Sequence, residues 1–366
     1  MVKTKKLFKI AIVTLSIVAV SIIILAVWIS RDDYVPKKLG NSVSAALNNR
    51  YGSSCSIVEN DKYIFYVNCV KDSFPLIRID KNSGEKKLLK KDIGDNEGSV
   101  LFIYKNTLIY TKSKGLGYYS IYSCDFDGKN EKLIKKESPI PHMVIDDYIY
   151  IPNLDNALTR LSLINGQKRT LNKEECNNFA GVDKKGKTLY FETGALKMVK
   201  VKINKRRASL WIKSPTEAIG FGSIHGKGKK ARKILGIANG SIWLRGKDVD
   251  SIYKVEETKG SYQTKSVFKK PGVNLVDNSI MEKDKIYYVS HDESKLIMFD
   301  INTGEDREIY TTPNKNIKIL AAIGDNILIS EWKEDNEHVN YYDAVGDKTA
   351  KNYYINNSGK VLYELD

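Results

Sequence analysis

A short apolar and aromatic run, set just after a turn, recurs seven times along this chain. The copies are YIFY at Tyr63, TLIY at Thr107, YIYI at Tyr148, TLYF at Thr188, SIWL at Ser241, KIYY at Lys285 and NILI at Asn326. The intervals between them are 44, 41, 40, 53, 44 and 41 residues. Another apolar run often precedes the turn, as in VLFIY (Val100 to Tyr104), PHMVI (Pro141 to Ile145) and KILAAI (Lys318 to Ile323). A third run ending in a glycine turn follows in most copies: LIRIDKNSG to Gly84, SIYSCDFDG to Gly128, LTRLSLING to Gly166. A fourth run closes the unit, as in KKLLK, EKLIK and REIY.

The stretch Ser279 to Tyr310 shows the whole unit. SIM, KIYY, KLIMFD and REIY are its four strands, with Asn302-Thr303-Gly304 as the last turn. Glycine there supplies the positive φ that such a turn demands. A four-stranded sheet of this size cannot cover both its faces alone, so it must stack on copies of itself. Four strands at this period are the signature of a β-propeller, and seven copies close a ring that hides most sheet edges. A β-solenoid or a pair of sandwiches does not account for the period together with the hairpin turns. The run KVLYEL (Lys360 to Leu365) is left over and is available to complete a blade. The fold class expected is all-β, a seven-bladed propeller. Twenty-two tyrosines agree with it, since aromatic side chains suit half-buried pleated surfaces.

Ahead of the repeats, Ile10 to Ile29 is an uncharged run of 20 residues, long enough as a helix to span a bilayer core of roughly 30 Å. Trp28 falls where indole rings favour the outer interface. Lys3, Lys5, Lys6 and Lys9 precede the run, whereas Arg31, Asp32 and Asp33 nearly cancel after it. The positive-inside rule then keeps the N-terminus in the cytoplasm and places the rest outside. A cleaved signal peptide is the rival, but its apolar core is usually shorter and ends in small residues, unlike Leu25-Ala26-Val27-Trp28. The expected organisation is a basic stub (1–9), a transmembrane helix (10–29), a linker stem (30–50) and the propeller (51–366). The location that follows is the plasma membrane, single-pass, with an extracellular propeller.

The opening GNSVSAALNNRYGSSCSIVENDKYIFYVN, followed by the strand–DxxxG–KKL unit, resembles uncharacterised propeller domains on the surface of Gram-positive, especially clostridial, bacteria. That group is distantly similar to low-density-lipoprotein-receptor-type propellers. The resemblance runs from about Gly40 to Tyr354 and implies the blade, not an activity. Copy four, LKMVKVKINKRRASLWI, departs from it by lacking the turn glycine, and YWTD is absent, so no receptor-type ligand role is implied.

Chemistry is sparse. His142, His225, His291 and His338 fall in different copies and read as surface or strand-end residues. The turns at Asp80, Asp125 and Asp300 begin like calcium loops but lack the later ligands and the closing glutamate, so turn chemistry explains them. Gly222 to Lys227 brushes against a phosphate loop, one residue short and with Gly228 where Ser or Thr belongs. Four cysteines without CxxC spacing exclude a disulfide scaffold or zinc site. Cys55 and Cys69 flank a hairpin and either bridge across it or stay reduced, while Cys124 and Cys176 are expected unpaired. No cofactor, metal or catalytic residue is assigned.

One feature stands apart. Between Lys197 and Lys233 twelve basic residues face a single acid, Glu217. The net +11 of this segment equals that of everything after Asp32, so the remainder of the ectodomain is neutral. Lys200, Lys202, Lys205, Arg206, Arg207, Lys227, Lys229, Lys230, Arg232 and Lys233 are the candidate polyanion-binding residues. A solvated lysine-rich surface is the competing reading. An external location disfavours nucleic acid as the anion. The function expected is a non-enzymatic binding or scaffold module at the cell envelope, its partner an anionic wall polymer or another envelope protein. The alternative is a carbohydrate- or peptide-active enzyme using the central channel.

Overall fold

The computed structural model describes residues 13–23 and, from 50 to 365, all but 52–54, 69–72, 95–99, 114–117, 154, 156, 177, 183–187, 193–196, 204–209, 212–218, 221–232, 239–240, 246–249, 259–260, 276–277, 314–315 and 333–350. Among the described residues thirty strands form seven antiparallel sheets, each built from consecutive strands. The second strands are Tyr63–Val67, Thr107–Ser113, Tyr148–Pro152, Thr188–Glu192, Ser241–Arg245, Lys285–Val289 and Asn326–Glu331. Each begins at the first residue of the run read from sequence. In Tyr63–Val67, Tyr148–Pro152 and Lys285–Val289 every residue but the first is buried. Sheets on both sides cover these strands, so neither face can be polar and they read as unbroken apolar runs rather than alternating ones.

The first strands pack on one another from sheet to sheet and so lie innermost. Cys55–Glu59 meets Leu101–Tyr104, Asn178–Val182 meets Lys233–Ala238, and Lys233–Ala238 meets Ser279–Glu282, which meets Ile317–Ile323. Sheets three and four touch through the outer strand Lys168–Glu175 and the strands Lys197–Ile203 and Leu210–Trp211. Ile317–Ile323 returns to Cys55–Glu59, so the last sheet packs on the first. Ile57, Ile64, Tyr66 and Ile79 share one buried cluster with Leu320, Leu328, Tyr354 and Leu365 across that seam. This succession of four-stranded meanders is the β-propeller arrangement.

Tight turns explain where each strand stops. Lys105, Asp146, Lys283 and Gly324 hold φ between 50° and 62° in two-residue hairpins between first and second strands. Between third and fourth strands, Asp80, Asp125, Asp300 and Asn356 each turn a side-chain oxygen onto main-chain amides two to four residues ahead. Because adjacent strands run oppositely, both kinds of turn lie at one end of every sheet. We call this end the hairpin face. The second-to-third connections and the crossings between sheets lie at the other, the loop face. Outer strands such as Lys86–Lys90 and Lys132–Ser138 are lysine-rich and largely solvated, which blunts an otherwise sticky edge.

Two expectations need amendment. The run Val361–Glu364 does complete a blade, but as the fourth strand of the last sheet, paired to Lys351–Asn356, which the sequence reading had passed over. The first sheet gains a fifth, innermost strand, Arg50–Tyr51, which straddles the expected boundary between stem and propeller.

Residues 13–23 are helical and exposed throughout. Eleven residues at about 1.5 Å each reach about 16 Å, and no helix among the described residues is long and apolar enough to cross a membrane. Residues 10–12 and 24–29 of the expected span, the stub 1–9 and most of the stem lie outside the described residues.

Candidate functional site

The basic segment maps to sheet four and its exit. Lys200 and Lys202 lie in the third strand, Lys197–Ile203, opposite Tyr190 and Thr188. Lys233 opens the first strand of sheet five, opposite Arg245. Lys205, Arg206, Arg207, Lys227, Lys229, Lys230 and Arg232 lie outside the described residues. What flanks them is described, and it changes the geometry of the site.

The fourth strand of this sheet is split. Leu210–Trp211 pairs with Lys202 and Ile203, and Ile219–Gly220 pairs with Lys197 and Met198, both on the same third strand. The chain between Ile203 and Leu210, which holds Lys205 to Arg207, departs from the hairpin end of the sheet. The chain between Gly220 and Lys233, which holds Lys227 to Arg232, departs from the loop end. Lys197 and Ile203, at these two ends, lie six residue steps apart, about 20 Å at 3.3 Å per step. The single basic patch of the sequence is therefore two sites of departure, on opposite faces of the ring.

Other candidates serve the fold. The His142 ring nitrogen Nε2 lies 2.7 Å from the Cys176 carbonyl oxygen, and the ring packs on Phe191 with centroids 5.5 Å apart, tying sheet three to sheet four. His291 is exposed just past the end of Lys285–Val289, against Gly272. His225, His338 and the stretch Gly222 to Lys227 lie outside the described residues. The calcium-like turns spend their carboxylates on main-chain amides: Asp80 accepts from Asn82 and Ser83, and these bonds hold its carboxyl below the usual range. Among the described residues no group of three or more His, Cys, Asp or Glu side chains is placed to hold a metal ion. Cys124 and Cys176 are buried thiols, and burial pushes Cys124 up to about 11. The proposed Cys55–Cys69 pair lies outside what is described, since Cys69 is not among those residues.

Two charged groupings lack a sequence signal, one because Lys90 and Glu131 belong to different sheets and the other because Arg160 and Tyr148 meet only when their strands pair. Glu131 lies 2.6 Å from Lys90 and 3.0 Å from Lys112, accepts the Tyr110 hydroxyl, and clamps sheets one and two together. Burial works to raise its carboxyl, but Lys90, Tyr110 and Lys112 outweigh it and bring it down to about 2. Arg160, 2% exposed, sits 4.5 Å from the Tyr148 ring centroid, and burial, with a smaller push from Arg169, lowers it to about 10.

No family model and no curated protein sequence matches the chain. Solved structures do. A puromycin-hydrolyzing peptidase from Mycobacterium tuberculosis is similar at 12% identity and a TM-score of 0.55, covering 90% of this chain and 55% of its own. A putative 6-phosphogluconolactonase from Bacteroides fragilis (12%, TM-score 0.47) covers 83% of this chain and 94% of its own. AztD from Citrobacter koseri (14%, TM-score 0.45) covers 86% of each. The chain spans about half of the peptidase, and at such identities the likeness extends to the fold alone.

Proposed function

We propose that the chain is a single-pass membrane protein that displays a closed, seven-bladed propeller outside the cell. There the propeller acts as a non-enzymatic binding module for an anionic envelope polymer. The observation that carries the reading is the confinement of the whole +11 excess to sheet four and the connection leaving it, the rest of the ectodomain being neutral. Clustered charge of this kind attracts phosphate polymers, while a dispersed surplus of lysine would not concentrate on one blade. The resemblance to Gram-positive surface propellers agrees with that setting. Membrane attachment is supported by residues 13–23, a helix whose apolar side chains, Leu15, Ile17, Ile22 and Ile23 among them, are exposed. A helix apolar on every side calls for a protein core or a lipid phase.

Exposed ion pairs contribute only about 0–1 kcal/mol each, so binding must be multivalent and salt-sensitive. Full-length protein in lipid nanodiscs is expected to bind immobilised poly(glycerol phosphate) at low salt. It should be released as ionic strength approaches physiological, where the Debye length is about 8 Å. Changing Arg206, Arg207, Lys229, Lys230 and Arg232 together to Ser should weaken binding about 60-fold, taking about 0.5 kcal/mol per lost charge. Because the two runs depart from opposite faces, one of the subsets, Arg206/Arg207 or Lys229/Lys230/Arg232, should carry most of that loss. Binding by the five-fold variant equal to the parent would leave only a solvated surface.

A further inference from the structure

Lysines that reach across other seams of the ring meet an anion. Lys90 lies 2.6 Å from Glu131 between sheets one and two, and Lys285 lies 2.8 Å from Asp325 between sheets six and seven. Between sheets two and three the hairpin end is matched in the same way, Lys105 on Asp147 at 2.8 Å. The outer strands of that seam are not. Lys132–Ser138, the fourth strand of sheet two, carries three lysines and one glutamate. Lys168–Glu175, the fourth strand of sheet three, opens on Lys168 and Arg169. The first of these strands is irregular. Its register against the third strand, Tyr119–Asp125, shifts on both sides of the pair Ile121 and Lys135, and Glu137 holds a φ of 49°. Bulges of this kind break the alternation of a strand and re-aim a side chain. Ile134 and Lys135 are consecutive, yet both fall on the side of sheet three. Ile134 packs against the buried cluster between the two sheets, and Ile121, directly opposite Lys135, belongs to it. Leu161 is in the same cluster and stands opposite Lys168, so Lys168 shares the face turned back toward sheet two.

We propose that a phosphate-type oxyanion binds between Lys135 and Lys168, at the rim of the ring, bridging sheets two and three. Like charges brought together across a seam repel, and burial of one of them adds a cost of desolvation. Lys135 is half-buried and Lys168 exposed, and among the described residues neither makes an ion pair. The Lys135 amine reaches only the Glu137 carbonyl oxygen, at 3.5 Å. Burial first, and Lys168 second, draw the Lys135 ammonium below the usual lysine range. A tetrahedral oxyanion answers both lysines at once, because it presents separate acceptor oxygens to the two amines through charge-assisted bonds. Lys132 and Lys136, exposed on the same outer strand, add to the field that draws it in. The site uses neither basic run of sheet four and does not rest on the polymer reading. A small soluble phosphate and a phosphate group of a polymer share the chemistry it recognises.

The test uses the full chain in nanodiscs at low salt. Reductive methylation of lysine amines is followed peptide by peptide by mass spectrometry, with inorganic pyrophosphate, poly(glycerol phosphate) or chloride of equal ionic strength added. Saturating pyrophosphate is expected to slow methylation of Lys135 and Lys168 about ten-fold, the equivalent of one charge-assisted bond, and to leave the exposed Lys360 unchanged. Protection by the polymer alone would still support the site and would identify a phosphate chain as its source. Lys135→Met and Lys168→Met should each weaken pyrophosphate binding about ten-fold by titration calorimetry. The Tm without anion should stay level or rise in both variants, because a like charge has been removed. A fall in that Tm in both would make the two lysines structural and overturn the site. So would protection by neither anion, or equal protection of Lys360. Loss of protection when Arg206, Arg207, Lys229, Lys230 and Arg232 are changed together to Ser would place the anion on the basic runs instead. If retention of the polymer fails while pyrophosphate still protects Lys135 and Lys168, the polymer reading falls and this site stands.

Discussion

Leu365→Ala tests how the ring is closed. Among the described residues every sheet is made of consecutive strands, and none combines strands from the two ends of the chain. Closure therefore rests on side chains at the seam between the last sheet and the first. Leu365 is 1% exposed there, within the cluster that holds Ile57, Tyr66 and Leu328. Its main-chain amide donates to the Asn352 carbonyl at 2.8 Å and its carbonyl accepts the Tyr66 hydroxyl at 3.2 Å. Neither bond involves the side chain, so the substitution removes packing alone. Burying Ala in place of Leu costs about 2–5 kcal/mol, depending on how far the site can collapse. Leu365 follows a short terminal strand, where neighbours close in readily, which places the cost at about 2–3 kcal/mol. Unfolding entropy of about 2.1 cal/mol/K per residue, over a ring of about 310 residues, converts this to a fall in Tm of about 3–5 °C. Ile164→Ala is the control: that side chain is 70% exposed in a turn and should change stability by under about 0.5 kcal/mol. Equilibrium denaturation and calorimetry read both. A Leu365→Ala protein as stable as the Ile164→Ala control would show that the seam does not hold the ring.

Two further outcomes follow from seams elsewhere. A Cβ on Gly359 would lie 1.6 Å from the Ile309 carbonyl oxygen of the neighbouring sheet, whereas one on Gly304, in the equivalent turn, meets nothing within 4 Å. Gly359→Ala should therefore cost at least about 3 kcal/mol and Gly304→Ala about 1 kcal/mol, the latter from its φ of +76° alone; equal losses in urea titrations would refute the close approach. Glu131 is held at about 2, below its ordinary value of 4.5, so its charge stabilises the fold above pH 4.5 and that contribution is lost as pH falls toward 2. Glu131→Gln should flatten the decline in stability between pH 4.5 and 2, and an unchanged acid limb would show that the clamp contributes nothing.

The strands were legible because two local signals coincide in each copy. An apolar run covered on both faces has no alternation to misread, and a two-residue turn pins where it starts, so Tyr63, Thr107, Tyr148, Thr188, Ser241, Lys285 and Asn326 were all readable as first residues. The Asp and Gly of the last turn gave the outer hairpin in the same way, since Asp80 and Gly84 satisfy that turn within five residues of chain. Features lacking a local signal were missed. Arg50–Tyr51 is too short to show a period, and Lys351–Asn356 follows a long stretch without one. The split fourth strand of sheet four carries no signal of its own, because Leu210–Trp211 and Ile219–Gly220 are each only two residues long. Glu131 and Lys90 are 41 residues apart, beyond any spacing argument. Of the candidate site, charge was legible from counting alone, but its division between two faces needed the pairing of both half-strands with Lys197–Ile203.

That division bears on where a ligand can be read. On the hairpin face, side chains already meet the next sheet: the Tyr104 hydroxyl donates to Asp147, Arg307 to the Asn357 carbonyl, and the Tyr363 hydroxyl to the Lys81 carbonyl. A substitution there disturbs a seam as well as a surface. The loop face carries the longer connections, whose length is not set by a two-residue turn, and the 53-residue interval of the sequence arises where one of them leads from Gly220 to Lys233. Lys227 to Arg232 lie in that connection, whereas Lys205 to Arg207 lie in the one between Ile203 and Leu210, at the hairpin end.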